Sequence, residues 1–416
     1  MTDLFTRAHA LDAADPLAGY RDRFVIPDPD LIYLDGNSLG RLPVATRDRL
    51  REAIEVEWAA DLIRGWDRWI ELAREAGDVI AGLLGAGPGE VTLSDSTSVN
   101  LYKLASAALD ARRDRRVIVT DDDNFPTDQY ILQGLAAARG LELRVVKTDI
   151  DTGVALDDVV AALDDDVALV SLSHVAYRSG AVADLVGITA AAHRVGALTL
   201  WDLSHSVGSV EVGLADADAD LAVGCTYKYL NGGPGAPAFL YVRRDLQPSL
   251  RQPIWGWFGQ REQFAMAAGY DPVESVDRFQ VGTPPVLPGY AALEGAKLTA
   301  EAGIGAVAAK GRELTSYAVD LVDAWLAEYG FALASPRDAA RRGAHLTLYH
   351  PQAWQVCQAL KAANVIPDFR TPDRLRLGFA PLYTRFSDVH EGFRRLREVV
   401  ATGQYRNFPA QRSRVT

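Results

Sequence analysis

The sequence predicts an α/β protein whose mostly parallel central sheet is flanked by helices and followed by a smaller α+β C-terminal domain. Three observations predict it: apolar runs of strand length alternate with Ala/Leu-rich helical patterns from Val117 onward, those patterns end at glycine, and the rhythm changes after Pro285. The strand candidates are "RVIVTD", "LRVVKTDI", "VALVSLSHV", "ALTLWDLSH" and "LAVGCTYKYL". Between them, "DQYILQGLAAARG" and "ITAAAHRVG" repeat apolar residues at helical spacing. Strand and helix in alternation imply parallel strands joined by right-handed crossovers, with both faces of the sheet covered. In such a sheet the ligand lies at the carboxyl ends of the strands, where several polar clusters of this chain fall. Past Pro285 a long helical region precedes short strand-like pieces, "AHLTLYH" and "RLRLGFA", that alternate with helices. The resulting division is an N-terminal segment over 1–55 packing with the small domain, a large domain over 56–295 and a small domain over 296–416.

A chain of 416 residues with 48% apolar content can bury a large core in two lobes. Its formal charge of -12 repels phosphate backbones, so no nucleic-acid partner is expected. No stretch approaches a membrane span, and "MTDLFTRAHALDAADPL" carries acids early without an apolar signal segment, so a cytoplasmic location without membrane association is expected. Cys225 and Cys357 form neither a CxxC nor a Cys/His cluster, which speaks against a structural zinc site and a disulfide framework, and no metal is expected. The densest basic stretch, with Arg112, Arg113, Arg115 and Arg116, reads as a solvated loop leading into a strand.

Chemistry concentrates around "GCTYKYLNGGPGAP", where Lys228 is either a solvated cation on a turn or the reactive amine of a buried site. One strand earlier, "LWDLSHSVG" ends on Asp202, with His205 three residues on. Asp202 is either a cap or a carboxylate facing a ring nitrogen; the second role turns a protonated pyridine into an electron sink, the requirement of pyridoxal phosphate chemistry. A lysine must also bond that cofactor, and burial favours its neutral, nucleophilic form. Ser94, Ser96, Thr97 and Ser98 stand before an amphipathic helix, where they are either ordinary N-caps or part of a phosphate site built on exposed N–H groups and the helix dipole. In "DNFPTDQYI", Phe125 and Asp128 either stack on a planar ring and fix a polar group, or belong to a loop that caps a helix. Arg376 in "RLRLGFAPLY" is either a surface arginine on a strand or a carboxylate fork.

The succession "YLDGNSLGRLP", "LIRGWDRW", "DSTSVN", "FPTDQY", "WDLSHSVG", "YKYLNGGPGAP", "GWFG" and "PLY" resembles the kynureninases, of the class V aminotransferase group of fold-type-I pyridoxal phosphate enzymes. The likeness runs from about Tyr33 to Tyr383, and "FPTD", "YKYLN" and "GWFG" together are its most specific part. It implies pyridoxal 5'-phosphate in the large domain, L-kynurenine as substrate, with 3-hydroxykynurenine a second candidate, and a place in tryptophan catabolism by the kynurenine pathway, with NAD biosynthesis one possible outlet. Lys228 would hold the cofactor and move the α-proton, Asp202 would pair with the pyridine nitrogen, and Phe125 would stack on the ring. Thr97, Ser96, Tyr227, Trp257 and Thr283 would hold the phosphate, with Asp128, Ser173 and His205 lining the pocket. Arg376 would bind the substrate α-carboxylate, while Trp66, Asn37 and Ser38 would approach its aryl end. Tyr227 is also the candidate acid–base for ketone hydration and enamine protonation. The resemblance further implies a homodimer with composite sites, in which Trp257 and Thr283 reach the partner subunit's phosphate. Thr283 stands where some members have asparagine, which leaves the preference among aryl groups open. The alternatives are a cysteine desulfurase or selenocysteine lyase, an aminotransferase, and a non-catalytic nucleotide binder using "NGGPGAP". The desulfurase needs a nucleophilic cysteine between Gly330 and His345, and none is there. The nucleotide binder lacks both glycine-rich phosphate motifs.

Overall fold

The computed structural model describes residues 4–266 and 268–412. Seven strands form the central sheet: β1 (Val91–Ser94), β2 (Val117–Asp121), β3 (Glu142–Val146), β4 (Val167–Ser173), β5 (Leu198–Asp202), β6 (Leu221–Gly224) and β7 (Ala238–Val242). Their order is β1-β7-β6-β5-β4-β2-β3. From β3 to β6 all neighbours are parallel, and β7 lies antiparallel between β6 and β1. Each of the five sequence candidates contributes one of these parallel strands. β7 escaped the alternation pattern because it follows a Gly/Pro loop and returns antiparallel, without a crossover helix to announce it, and β1 because its four residues, "VTLS", make no apolar run.

Successive residues of the central strands face opposite sides of the sheet, and both sides are covered. Ile118, Leu169 and Leu200 join a core with Leu101, Leu104 and Ala108 of the helix Thr97–Ala111 and Leu132 of the helix Pro126–Arg139. Val119, Val170 and Trp201 join the opposite core with Ile80 and Leu84 of the helix Leu72–Leu84 and Ile188 of the helix Leu185–Arg194. Arg115, expected in a solvated loop, instead donates to the carbonyls of Val167 (2.7 Å) and Val195 (2.6 Å), and Arg112 donates to Gly196 O (3.1 Å). Their guanidinium groups satisfy carbonyls at the start of β4 and in the turn before β5, which the run of charges alone does not reveal.

A second, antiparallel sheet consists of β8 (Ala332–Leu333), β9 (His345–Tyr349), β10 (Asp368–Arg370) and β11 (Arg374–Gly378), in the order β10-β11-β9-β8. The helices Ile304–Trp325, Ala353–Ala362 and Phe386–Ala401 pack a separate core with it, which also takes Ala8, Ile32 and Leu34 from the N-terminal segment. The helical region after Pro285 is two helices, Val286–Ala302 and Ile304–Trp325, broken at Gly303, whose φ is +80°. The first gives Tyr290, Leu293 and Ala296 to the large core and the second gives Leu314, Tyr317 and Leu321 to the small one. The first fifty residues, which show little periodicity, nevertheless form helices at Leu4–Ala14 and Val44–Glu52. Each buries a single residue, Ala8 and Thr46 respectively, so neither has an apolar stripe to read.

Candidate active site

The carboxyl ends of β4, β5 and β6 open into one cleft. β6 stops at Gly224, where a Cβ would sit 2.5 Å from the Phe239 ring, so only glycine lets the chain cross there. The following turn is tied by Asn231 N to Lys228 O (2.9 Å), Gly232 N to Thr226 O (2.9 Å) and Thr226 Oγ1 to Pro237 O (2.7 Å). Lys228 therefore sits on a clamped turn beyond the strand, not on the strand itself. Its Nζ lies 2.9 Å from His205 Nε2. Burial, followed by the charges of Lys228 and His345, drives the His205 pKa well below its ordinary value. A neutral imidazole thus accepts from the lysine, while His205 Nδ1 is buried without a partner.

Asp202 ends β5, and its Oδ1 accepts from Ser204 N (2.7 Å), which is the turn-capping role that its position suggests. Its carboxylate also meets Asp128. Burial, then the Asp202 charge and a hydrogen bond with it, raise the Asp128 carboxyl well above the usual carboxylate range. Two carboxyls so close and so buried cannot both ionise, so the pair holds a proton on Asp128. Tyr227 is also pushed upward, first by Cys225 and then by burial, so it stands as a protonated phenol able to act as an acid.

Thr97 and Ser98 line the opposite end of the cleft, in the first turn of the helix Thr97–Ala111. Ser96 is that helix's N-cap, accepting from Val99 N at 3.4 Å; it is exposed and does not line the cleft. Phe125 precedes the helix Pro126–Arg139 and meets the Tyr177 ring edge-on at 5.4 Å. Ser173 donates to Asn124 Oδ1 (2.8 Å) at the rim of β4. Thr127, Tyr177 and Ser204 also line the cleft and were missed from sequence. Thr127 and Ser204 lie inside the quoted motifs; nothing local marks Tyr177.

Arg376, on β11, is 1% exposed, which rules out the surface reading. It donates to Tyr177 O (2.6 Å), Ser38 Oγ (2.9 Å) and Asp368 Oδ2 (2.5 Å). With the Asn37 amide oriented to satisfy its neighbours, Asn37 accepts from Arg376 Nε (2.9 Å) and donates to Asp35 (3.3 Å). Asn37 and Ser38 are thus brought to Arg376 as its supports. Asp35, buried and facing Asp368, has its pKa raised to about 6.

Trp66, Trp257 and Thr283 do not line this cleft. Trp66 lies 6.1 Å from the Phe258 ring, which Trp257 meets at 4.5 Å, and Thr283 is exposed. Nearby runs an open apolar groove lined by Trp58, Leu62, Ile63, Trp69 and Leu287.

The donor set fits pyridoxal phosphate. Hydroxyls and free N–H groups at a helix start suit a phosphate, a half-buried amine suits the aldehyde, and Asp202 suits a protonated ring nitrogen. A buried polar atom of the cleft, His205 Nδ1, lacks a partner, as expected where a polar ligand completes the site.

A family model described as "Kynureninase C-terminal domain" matches residues 307–396. The kynureninase of Pseudomonas fluorescens is 43% identical over 400 residues, covering 94% of each chain. That of Burkholderia pseudomallei (strain 1106a) is 44% identical over 407 residues, covering 96% of each. Among solved structures, the apo cysteine desulfurase of Thermococcus onnurineus NA1 superposes with a TM-score of 0.79 at 19% identity, over 95% of this chain and 98% of that one. A C-DES variant with glycine covalently linked to its PLP cofactor superposes with a TM-score of 0.77 at 18% identity, over 90% of this chain and 100% of that one. At that identity the structural likeness speaks for the fold-type-I architecture alone.

Proposed function

The chain belongs to the kynureninase family, and we propose from that premise that it hydrolyses L-kynurenine to anthranilate and L-alanine with pyridoxal phosphate as cofactor. The observation that carries the reading is the convergence of the Lys228 amine, neutral His205 and the Asp128–Asp202 pair in one cleft at the strand ends. When bound, the cofactor supplies a carbonyl for the substrate amine and a protonated ring that accepts the electron pair released at the α-carbon. Lys228 holds the cofactor and carries the α-proton away, and Asp202 keeps the ring nitrogen protonated. Thr97 would hold the phosphate at the helix start that Ser96 caps, and Phe125 would cover the ring, with Asp128, Ser173 and His205 around it. Arg376 binds the α-carboxylate, with Asn37 and Ser38 orienting it. One water is consumed: its oxygen enters the new carboxylate of anthranilate, the Cβ–Cγ bond breaks, and Cβ takes a proton to give alanine. The protonated Tyr227, which lines the cleft beside Lys228, would be the acid for that step.

The desulfurase reading meets a chemical obstacle. Cys357 lies buried in the helix Ala353–Ala362 with its pKa pushed up to about 12 by burial, and Cys225 is buried with its pKa raised for the same reason. A sulfur acceptor must ionise and reach its substrate.

Trp257 and Thr283 serve the partner subunit's site in a homodimer. The exposed apolar groove beside them, with Trp58 59% and Ile63 75% exposed, supports a covered face. The division into 1–55, 56–295 and 296–416 and a cytoplasmic location complete the reading. The test is anthranilate fluorescence from L-kynurenine, with alanine in equal amount and with 3-hydroxykynurenine as competitor. Release of alanine from cysteine, with no anthranilate from kynurenine, would sink it.

A further inference from the structure

Lys103 has no exposed surface, and no step above uses it. It lies two turns into the helix Thr97–Ala111, and its ammonium donates to three oxygens from two distant parts of the chain. These are Ser94 Oγ at the end of β1 (3.0 Å), Asp95 Oδ2 in the β1–helix turn (2.6 Å) and the Phe279 carbonyl (2.7 Å). All three ammonium protons are thereby used. Burial lowers the Lys103 pKa and the Asp95 charge opposes that. A buried ammonium is costly to keep, so what it organises matters. On one side it holds Asp95, a non-glycine residue in the left-handed region at φ +41°, whose carbonyl accepts from Ala238 N (2.8 Å). That turn sets where Thr97 and Ser98 stand. Lys103 also neutralises a carboxylate that would otherwise oppose an anion at the helix start. On the other side it grips Phe279, whose neighbour Gln280 donates to Thr92 Oγ1 (2.6 Å) and Leu93 O (3.0 Å). Those bonds fix the root of the segment that carries Thr283.

We infer that Lys103 is a positioning residue for the cofactor's phosphate, joining the turn that presents Thr97 and Ser98 to the segment that ends at Thr283. The inference rests on the proposed cofactor site, and its test separates the two. Apo wild type, Lys103→Met and Lys103→Arg are each titrated with pyridoxal phosphate and with pyridoxal, which lacks the phosphate, reading Kd from visible absorbance. Lys103→Met is expected to raise Kd for the phosphorylated form at least about tenfold and that for pyridoxal less than about threefold, with Lys103→Arg recovering part of the loss. Equal losses for both ligands, as a general structural defect would produce, overturn the inference, as does an unchanged Kd for pyridoxal phosphate. If Lys103→Met fails to fold because Asp95 is left unpaired, Lys103→Met with Asp95→Asn removes both charges. That pair is expected to lower the affinity ratio of the two ligands at least about threefold, and a wild-type ratio overturns the inference. A wild type that binds neither ligand instead removes the cofactor site and the inference with it.

Discussion

Arg376→Lys keeps a positive charge and removes the planar fork, so it isolates what the geometry contributes. A guanidinium has five N–H donors. Four are engaged, by Tyr177 O, Ser38 Oγ, Asp368 Oδ2 and Asn37, which leaves one free. A two-pronged grip on a substrate carboxylate therefore uses the free N–H and one given up by Ser38, whose hydroxyl can turn to donate to the same carboxylate. A lysine ammonium reaches Asp368 but cannot span from there to both Tyr177 O and the substrate. Arg370 lies 2.7 Å from Asp368, so that buried carboxylate keeps a cation and the fold survives the change. The loss falls on the substrate: one hydrogen bond to a charged group, about 1.5–3 kcal/mol, or roughly 10- to 150-fold in kcat/KM. Anthranilate fluorescence over a range of kynurenine concentrations should show it as a raised KM with kcat changed only a few fold, in protein whose thermal unfolding resembles wild type. A KM within about twofold of wild type would refute the reasoning and leave Arg376 as a clamp between Tyr177 and Asp368.

Asp202→Asn should lower kcat far more than it raises KM, because the charge on the ring develops in the transition state; near-normal turnover returns Asp202 to capping Ser204. Lys228→Ala and the double change Trp257→Ala with Thr283→Ala should each be nearly inactive alone. Co-expressed, they should recover about a quarter of wild-type activity, since random pairing makes half the dimers mixed with one intact site of two. Mixed dimers no better than the better parent would assign Trp257 and Thr283 to their own subunit. Asp121 is buried at the end of β2, and burial, then Asp122, raise its pKa to about 7. The folded state therefore holds a proton that the unfolded state loses near pH 4, and this contribution to stability is lost as the pH rises through about 7. Asp121→Asn should match wild-type thermal unfolding near pH 4 and exceed it at pH 8, by up to about 4 kcal/mol. Equal curves at both pH values would show that Asp121 does not carry that proton.

What the sequence made legible follows from which forces are local. The five parallel strands announce themselves as apolar runs, two of which lead into quoted helical patterns, and Asp202 stands where its strand stops. Lys228 is conspicuous for its aromatic neighbours and glycines, yet its partner His205 lies twenty-three residues earlier and only the fold brings their nitrogens to 2.9 Å. β7 was silent because an antiparallel return needs no crossover, and β1 because "VTLS" is too short and polar to make an apolar run. Lys103 was silent for another reason: inside an amphipathic helix a lysine reads as part of the solvated face, and its burial depends on Asp95 and on Phe279, 176 residues away. Arg115 misled in the same way. Trp257 and Thr283 lie outside the cleft that one chain builds, so nothing near them in sequence tells which site they serve.

The residues proposed for the cofactor and for the substrate carboxylate belong to different cores, so their alignment must come from what joins those cores. Lys228 and Asp202 project from the large sheet, Arg376 from the small one. The segment after β4 forms the joint: Tyr177 O accepts from Arg376 (2.6 Å), Arg178 O from Thr347 Oγ1 (2.5 Å), Ser179 O from Ser335 Oγ (2.6 Å) and Gly180 O from Gly343 N (2.8 Å). Four consecutive carbonyls thus face the small domain. Gly180 permits this, since its φ is +72° and a Cβ there would lie 2.7 Å from the His345 carbonyl. The ring of His345 in turn lies 5.2 Å from that of His205, the partner of Lys228. The first residue of this joint also supplies the ring that meets Phe125 in the cleft. The placing of the Lys228 amine relative to the Arg376 guanidinium therefore depends in part on one short stretch of backbone, "YRSG", which contains no residue proposed for the chemistry.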